Sequence, residues 1–349
     1  MSTLKRYSLA PVAAVYGIAV KLRNKLFDAG ILKSAKFNLP VVCVGNLALG
    51  GTGKTPMTEL LVKMLQPHFK TAIVSRGYKR KTKGYLLAGP HTTALEIGDE
   101  PMQFHKKFPD VAVAVGEERL VSIPQLLYDR PETEVIILDD AFQHRKIKAS
   151  LNILLTEFDR PFFNDSIFPL GYLRDERSSA NRADIIVVTK CPKNLSNEMR
   201  EKFENKLSSF GTKNIFFTCL DYDTPYDIFS GEKADISLSS VCLVTGIANP
   251  KPLENYIRST GRDITTLQFP DHHIFHSGDF KKIIQTFNSI PDSNKVIITT
   301  EKDAVRFEKF KNEFQSIKVI ALPVKHTFLF DGYVPFSSLV MDAIRKYNR

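Results

Sequence analysis

The chain has 349 residues, 43% of them apolar and 25% charged, with a formal net charge of +10. That length suits two domains better than one, and that composition excludes a disordered or fibrous chain. Cys43, Cys191, Cys219 and Cys242 form no CxxC pair, which excludes a zinc ribbon or a disulfide framework and reads as buried thiols in a reducing compartment. The basic balance favours a polyanionic partner: nucleotide phosphates, a phosphorylated lipid, an anionic membrane surface and nucleic acid all fit.

Tyr7–Val20 is uncharged, but it is too short to span a bilayer and Pro11 interrupts it. Lys21 and Arg23 stand where a signal peptide would carry its small-residue cleavage site. On a helical wheel Val12, Val15, Tyr16, Ala19, Leu22, Leu26 and Phe27 share one face, with Lys21, Asn24, Lys25 and Asp28 opposite. Arg23 falls on the apolar face and has to snorkel. The pattern predicts an amphipathic helix within residues 1–35, and its periodicity fits a membrane interface and the protein's own core equally well.

The next segment, VVCVGNLALGGTGKTP from Val41 to Pro56, reads as strand, glycine-rich loop and helix. That is the context of a P-loop, with Ala48 at the first position of G-x-x-x-x-G-K-[ST]. Gly50, Gly51, Thr52 and Gly53 would turn backbone N–H groups onto phosphate oxygens, aided by the positive end of the helix dipole. Lys54 would reach the β- and γ-phosphates, and Thr55 would ligate Mg²⁺.

Short β-branched runs follow at Thr71–Ser75, Val111–Val115, Val135–Leu138, Leu151–Leu155 and Ile185–Thr189, separated by helical patterns. They predict a mostly parallel α/β sheet of P-loop NTPase type, with helices on both faces. A charged helix over Asn194–Phe210 and a strand over Asn214–Cys219 lead to a second α/β series: Val241–Val244, Thr265–Phe269 and Val296–Thr299 alternate with helices near Pro252–Ser259 and Phe280–Ser289. The predicted organisation is a core of residues 36–216 and a smaller α/β domain of residues 217–349. Lys318–Leu322 is expected to return beside Asn214–Cys219 as a connector.

Val135–Leu138 ends in Asp139 and Asp140, which has Walker B form and places two carboxylates where Mg²⁺ would bind. Gly98-Asp99-Glu100-Pro101 offers Asp99 as a base for a hydroxyl, or as a helix cap. Phe269–His276 holds three histidines without a coordinating Cys or Glu, so zinc, a polar loop, or a partner for a carboxylate are the three readings. Basic clusters at Arg76–Lys81 and at Arg174, Arg177 and Arg182 suit phosphate or a solvated face. Thr189-Lys190-Cys191-Pro192 lacks the Asp of N-K-x-D, so adenine nucleotide is expected.

Together the strings VGNLALGGTGKTP, SRGYKR, GDEP, LDDAFQHR, LGYLRD, NRADIIVVTK, TGIANP, FPDHHIF and TTEKDAVRF resemble the tetraacyldisaccharide 4′-kinase family of Gram-negative bacteria. The resemblance implies two α/β domains closing on ATP, and transfer of its γ-phosphoryl group to the 4′-hydroxyl of an acylated glucosamine disaccharide 1-phosphate in lipid A synthesis. It implies attachment to the cytoplasmic face of the inner membrane, with no nucleic acid as partner, and it implies no protein partner. It makes Asp99 the base and His272 its partner, with Lys54, Thr55, Asp139 and Asp140 serving phosphate and Mg²⁺. Arg76, Gln143, His144 and Arg174 follow as substrate residues. Two positions depart from the family: Ala141 replaces Gly and Asp175 replaces Glu. The competing readings are a P-loop kinase of a soluble sugar or nucleotide, and a basic P-loop switch on nucleic acid. For the latter, Tyr78 is the sole aromatic residue interleaved with the basic run.

Overall fold

A computed structural model of the chain describes residues 3–211, 214–236, 240–314 and 317–347. Helix α1 (Thr3–Asp28) precedes β1 (Val41–Asn46), which runs through the glycine-rich loop into α2 (Lys54–Leu65). Then come β2 (Thr71–Ser75), β3 (Leu86–Leu87), α3 (Ala94–Ile97), α4 (Asp99–Lys107), β4 (Ala112–Val115), α5 (Arg119–Asp129) and β5 (Val135–Leu138). β6 (Leu151–Glu157), β7 (Ile185–Thr189), α6 (Asn197–Ser208) and β8 (Asn214–Tyr222) complete the first half. The second half runs β9 (Tyr226–Asp227), β10 (Ser240–Thr245), α7 (Lys251–Ser259), β11 (Asp263–Gln268), α8 (Ser277–Ser289), β12 (Lys295–Thr299) and α9 (Glu301–Phe307). It ends with α10 (Lys311–Phe314), β13 (Val319–Ala321), β14 (Val324–Phe328) and α11 (Tyr333–Tyr347).

Nine strands pair in the order β14-β8-β7-β6-β1-β5-β2-β4-β3, and five more in the order β11-β10-β12-β13-β9. In the first sheet every pairing from β8 to β4 is parallel, and only the edges β14 and β3 are antiparallel. The reason is visible in β1. Val42 and Val44 enter one buried cluster with Met57, Leu61 and Leu65 of α2, while Val41 and Cys43 enter the other with Leu154 and Ile186. A strand whose two faces are both buried has no polar side, so it reads as a continuous apolar run. The second sheet repeats the device, with Cys242 and Val244 on one face and Val241 and Leu243 on the other. The predicted α/β class with mostly parallel sheets is the one found.

Three expectations change. The strand returning beside β8 is Val324–Phe328, not Lys318–Leu322; Val319–Ala321 pairs instead with β12 and β9 in the second sheet. The chain then stays with the first sheet: Phe336, Val340 and Ile344 of α11 are buried in the cluster that holds Val42 and Leu61. Residues after Val324 therefore complete the first layer rather than the second. In α1 the wheel put Asn24 on the charged face, yet Asn24 is buried and donates to Asp175 Oδ1 at 2.8 Å and Ser179 Oγ at 3.2 Å. Ala13, Val20 and Asn24 form the packed face, and Val12, Val15, Ile18 and Leu22 are left exposed. Among the described residues no helix is long and apolar enough to cross a membrane.

Candidate active site

The glycine-rich loop leaves the carboxyl end of β1, between neighbours β5 and β6. Parallel α/β sheets bind ligands at such a place. Gly50 (φ +114°) and Gly53 (φ +85°) take left-handed backbone conformations that glycine adopts without steric cost. Lys54 opens α2 with its Nζ 3.5 Å from Asn46 Oδ1 and 3.8 Å from Asp140 Oδ2. Thr55 follows it on the first turn, half-buried.

Asp139 and Asp140 leave the end of β5 beside this loop. Asp139 is buried and accepts from Thr58 Oγ1 and Ser75 Oγ, both at 3.2 Å. Burial, then the charges of Glu100 and Asp140, push its pKa upward. Burial also works against the Asp140 carboxylate, but Lys54 and Arg174 outweigh it and hold the pKa down. Asp140, not Ala141, is the left-handed residue of this turn (φ +46°), so the methyl group of Ala141 sits without strain. The donor set fits Mg²⁺. A hydroxyl and two carboxylates are hard oxygen ligands, and the buried Asp139 charge wants a cation. Among the described residues no cluster of three or more His, Cys, Asp or Glu could hold a metal.

The remaining candidates separate. Arg174 pairs with Asp140 and donates to Asn46 Oδ1 at 2.7 Å, so it ties the acidic pair to the end of β1. Gln143 donates to the Asn46 carbonyl at 2.7 Å. His144 is held neutral, pushed down to about 4 by burial and then by Arg119, and its buried Nε2 has no partner. Arg76 is exposed, and its charge is felt by Arg119. Arg177 binds the Asp165 carbonyl, and Arg182 the Phe142 carbonyl and Asp175. Asp175 is buried against Asn24, Ser179 and Arg182; its shorter arm ties α1 to the body.

Asp99 is the first residue of α4, and the N-cap before it is Gly98. Its carboxylate crosses to the second sheet, where His272 Nδ1 lies 3.2 Å from Oδ2. A buried network holds the two layers at this point. Lys107 of α4 bonds Glu59 of α2 at 2.6 Å and Glu301 of α9 at 2.7 Å, and Gln103 bridges the same two carboxylates. The three histidines have separate tasks and form no zinc site: His273 pairs with Asp279 at 2.9 Å, and His276 caps α8. Glu100, next to Asp99, is close enough for its charge to act on Asp139. Glu100 thus brings the Asp99–His272 pair into the neighbourhood of the acidic pair and the phosphate loop.

Two residues beside these groups were invisible as site residues in the sequence. Arg119 is buried beside the acidic pair, with its Nε unpartnered; a lone Arg after Glu117-Glu118 carries no motif. Arg306 grips both Asp99 oxygens, through Nε at 2.8 Å to Oδ1 and through Nη2 to Oδ2.

The family model described as Tetraacyldisaccharide-1-P 4′-kinase matches residues 5–341. A tetraacyldisaccharide 4′-kinase of Flavobacterium johnsoniae is 46% identical over 330 residues, 93% of this chain and 94% of that protein. Its namesake in Phocaeicola vulgatus is 42% identical over 98% of this chain and 96% of that protein. Among solved structures, LpxK from Aquifex aeolicus in complex with ATP aligns with a TM-score of 0.77 and 28% identity, covering 97% of this chain and 99% of that one.

Proposed function

This chain belongs to the tetraacyldisaccharide-1-phosphate 4′-kinase family, and from that premise we infer how its cleft works. It is an ATP-dependent kinase that phosphorylates the 4′-hydroxyl of a tetraacyldisaccharide 1-phosphate in lipid A synthesis. The observation that carries the reading is the set of contacts that put Lys54 beside Asp140, Glu100 within electrostatic reach of Asp139, and His272 against Asp99.

The glycine-rich loop and Lys54 cradle the β- and γ-phosphates of ATP. Thr55, Asp139 and Asp140 are the groups that would hold Mg²⁺, which neutralises phosphate charge when bound. Asp99 accepts the proton of the 4′-hydroxyl as its oxygen bonds to phosphorus and the bond to the departing ADP breaks. His272 orients that carboxylate. Phosphoryl transfer asks for positioning and charge more than for covalent help, and these residues supply both.

The division of labour is α1, a kinase core on the first sheet, and a lobe on the second sheet that brings His272. The acceptor is a lipid, so we place the protein peripherally on the cytoplasmic face of the inner membrane. The exposed Val12, Val15, Ile18 and Leu22 on α1 and the net charge of +10 support that placement.

The test is radiolabelled ATP with acylated disaccharide 1-phosphate, scored for a new lipid phosphate. Wild-type protein is expected to label the lipid. Lys54→Ala should lower kcat by at least ~10²-fold, the scale of losing one preorganised charge. Label on a soluble hexose or nucleoside but not on the lipid overturns the acceptor.

A further inference from the structure

Asp99 is held from across the cleft more tightly than a free base would be. Arg306 of α9 donates from Nε to Oδ1 at 2.8 Å and from Nη2 to Oδ2, and His272 Nδ1 lies 3.2 Å from Oδ2. Lys302 Nζ stands 3.1 Å from His272 Nε2. Arg306 Nη2 lies 3.3 Å from Nδ1, so each ring nitrogen has a cation beside it that can only donate, and Nδ1 alone also faces the Asp99 carboxylate. Arg306 is braced from behind by Asp303 Oδ1 and by the His273 carbonyl, at 3.3 and 3.2 Å. The side chains are 10% exposed for Arg306 and 15% for Asp99.

A carboxylate offers roughly four acceptor positions, and Arg306 and His272 fill three of them. The position left open is on Oδ1, where a hydroxyl that is to lose its proton to Asp99 can donate.

We propose that Arg306 is a positioning residue for the base: it aims Asp99 from the second sheet so that the open acceptor position on Oδ1 meets the acceptor hydroxyl during transfer. This rests on reading Asp99 as the base. The hydroxyl O–H bond breaks as the O–P bond forms, and the proton ends on Asp99 Oδ1, which takes only Arg306 Nε. The guanidinium keeps its own protons and stays braced by Asp303, which accepts from Nη1.

The charged and titratable groups around Asp99 are few. Arg306, Lys302 and Asp303 come from α9, and Asp271 and His272 from the loop after β11. Glu100 is its neighbour on α4, and the Tyr78 ring packs edge-on against His272. Burial acts to raise the Asp99 pKa, and Arg306 and then His272 outweigh it, holding the group at about 2. Without Arg306, burial is opposed mainly by His272.

The experiment uses the full chain with ATP and acylated disaccharide 1-phosphate. Arg306→Met keeps the length without the charge, and Arg306→Lys keeps the charge without the fork. kcat and acceptor KM are measured from about pH 4 to 9, each divided by the wild-type value at the same pH, which cancels the titration of ATP itself. Removing an opposite charge in contact raises a carboxyl pKa by about 1–3 units. The Arg306→Met ratio should therefore fall as pH drops through the raised pKa, with Arg306→Lys between it and wild type. A ratio that stays flat with pH means that Arg306 only braces the interface, and overturns the proposal. Asp99→Asn separates the two failures. If it keeps wild-type rate, the base reading itself falls; if it is inactive while the Arg306→Met ratio is flat, only the positioning role falls. Should Arg306→Met not fold, Arg306→Gln carries the same comparison.

Discussion

His326 Nε2 lies 2.9 Å from the carbonyl oxygen of Gly53, the residue that turns the phosphate loop into α2. On its other side Nδ1 lies 2.9 Å from Thr218 Oγ1. The carbonyl must accept, so Nε2 carries the proton and Nδ1 accepts from the threonine hydroxyl. The edge strand β14 thus buttresses the loop through one imidazole, and a Cβ on Gly53 would stand 3.1 Å from that ring.

His326→Phe leaves the Gly53 carbonyl without this donor, at about 1–3 kcal/mol. KM for ATP should rise several-fold while acceptor KM stays constant, and His326→Gln should recover part of the loss. Burial pushes His326 down to about 4 from 6.5. Between those values the unfolded chain takes up a proton that the folded chain refuses, so wild-type stability falls as pH drops through the window, by at most ~1.4 kcal/mol per pH unit. Denaturant unfolding of both proteins should show a gap that is widest above pH 6.5 and narrows toward pH 4. A gap constant with pH would show that the imidazole is not held neutral.

Asp99 and His272 sit 173 positions apart and meet across the two layers. A general base contributes roughly 10²–10⁴-fold, so Asp99→Ala and His272→Ala should each lower kcat within that range while ATP binding persists. Groups acting as one unit are non-additive. The double variant should be scarcely worse than the worse single, and multiplicative losses would mean independent roles.

The apolar stripe on α1 can be tested without disturbing its packed face. Val15 is 70% exposed and Ile18 68%. Val15→Asp with Ile18→Asp should leave stability within about 0.5 kcal/mol and kcat on detergent-dispersed acceptor unchanged. Co-sedimentation with anionic vesicles should drop. Undiminished co-sedimentation would remove the membrane role of this face. Asn24→Ala is the contrasting variant: it strips a donor from the buried Asp175 carboxylate and should cost about 1–3 kcal/mol.

Much of the cleft was readable locally. The P-loop needs a strand, glycines at fixed offsets and a helix start, all within Val41–Leu65. The acidic pair follows an apolar strand directly, and His272 and Asp99 stood in strings that resembled a family. The wheel of α1 was half right, because a 3.6-residue period marks an apolar face but not which face meets the body. Here two faces are used, and Asn24 is buried because Asp175 and Ser179 answer it.

By itself the sequence determined the strand–loop–helix that holds phosphate, the parallel class of the sheets and the residues able to carry acid–base chemistry. These follow from local spacing, from side-chain periodicity and from what each functional group can do. Only the tertiary structure decided that α11 closes the first layer, that His326 buttresses Gly53 from 273 positions away, and that Arg306 grips Asp99 from 207 positions away. Such contacts depend on how whole layers dock, and docking is set by the summed burial of many side chains that no short pattern contains.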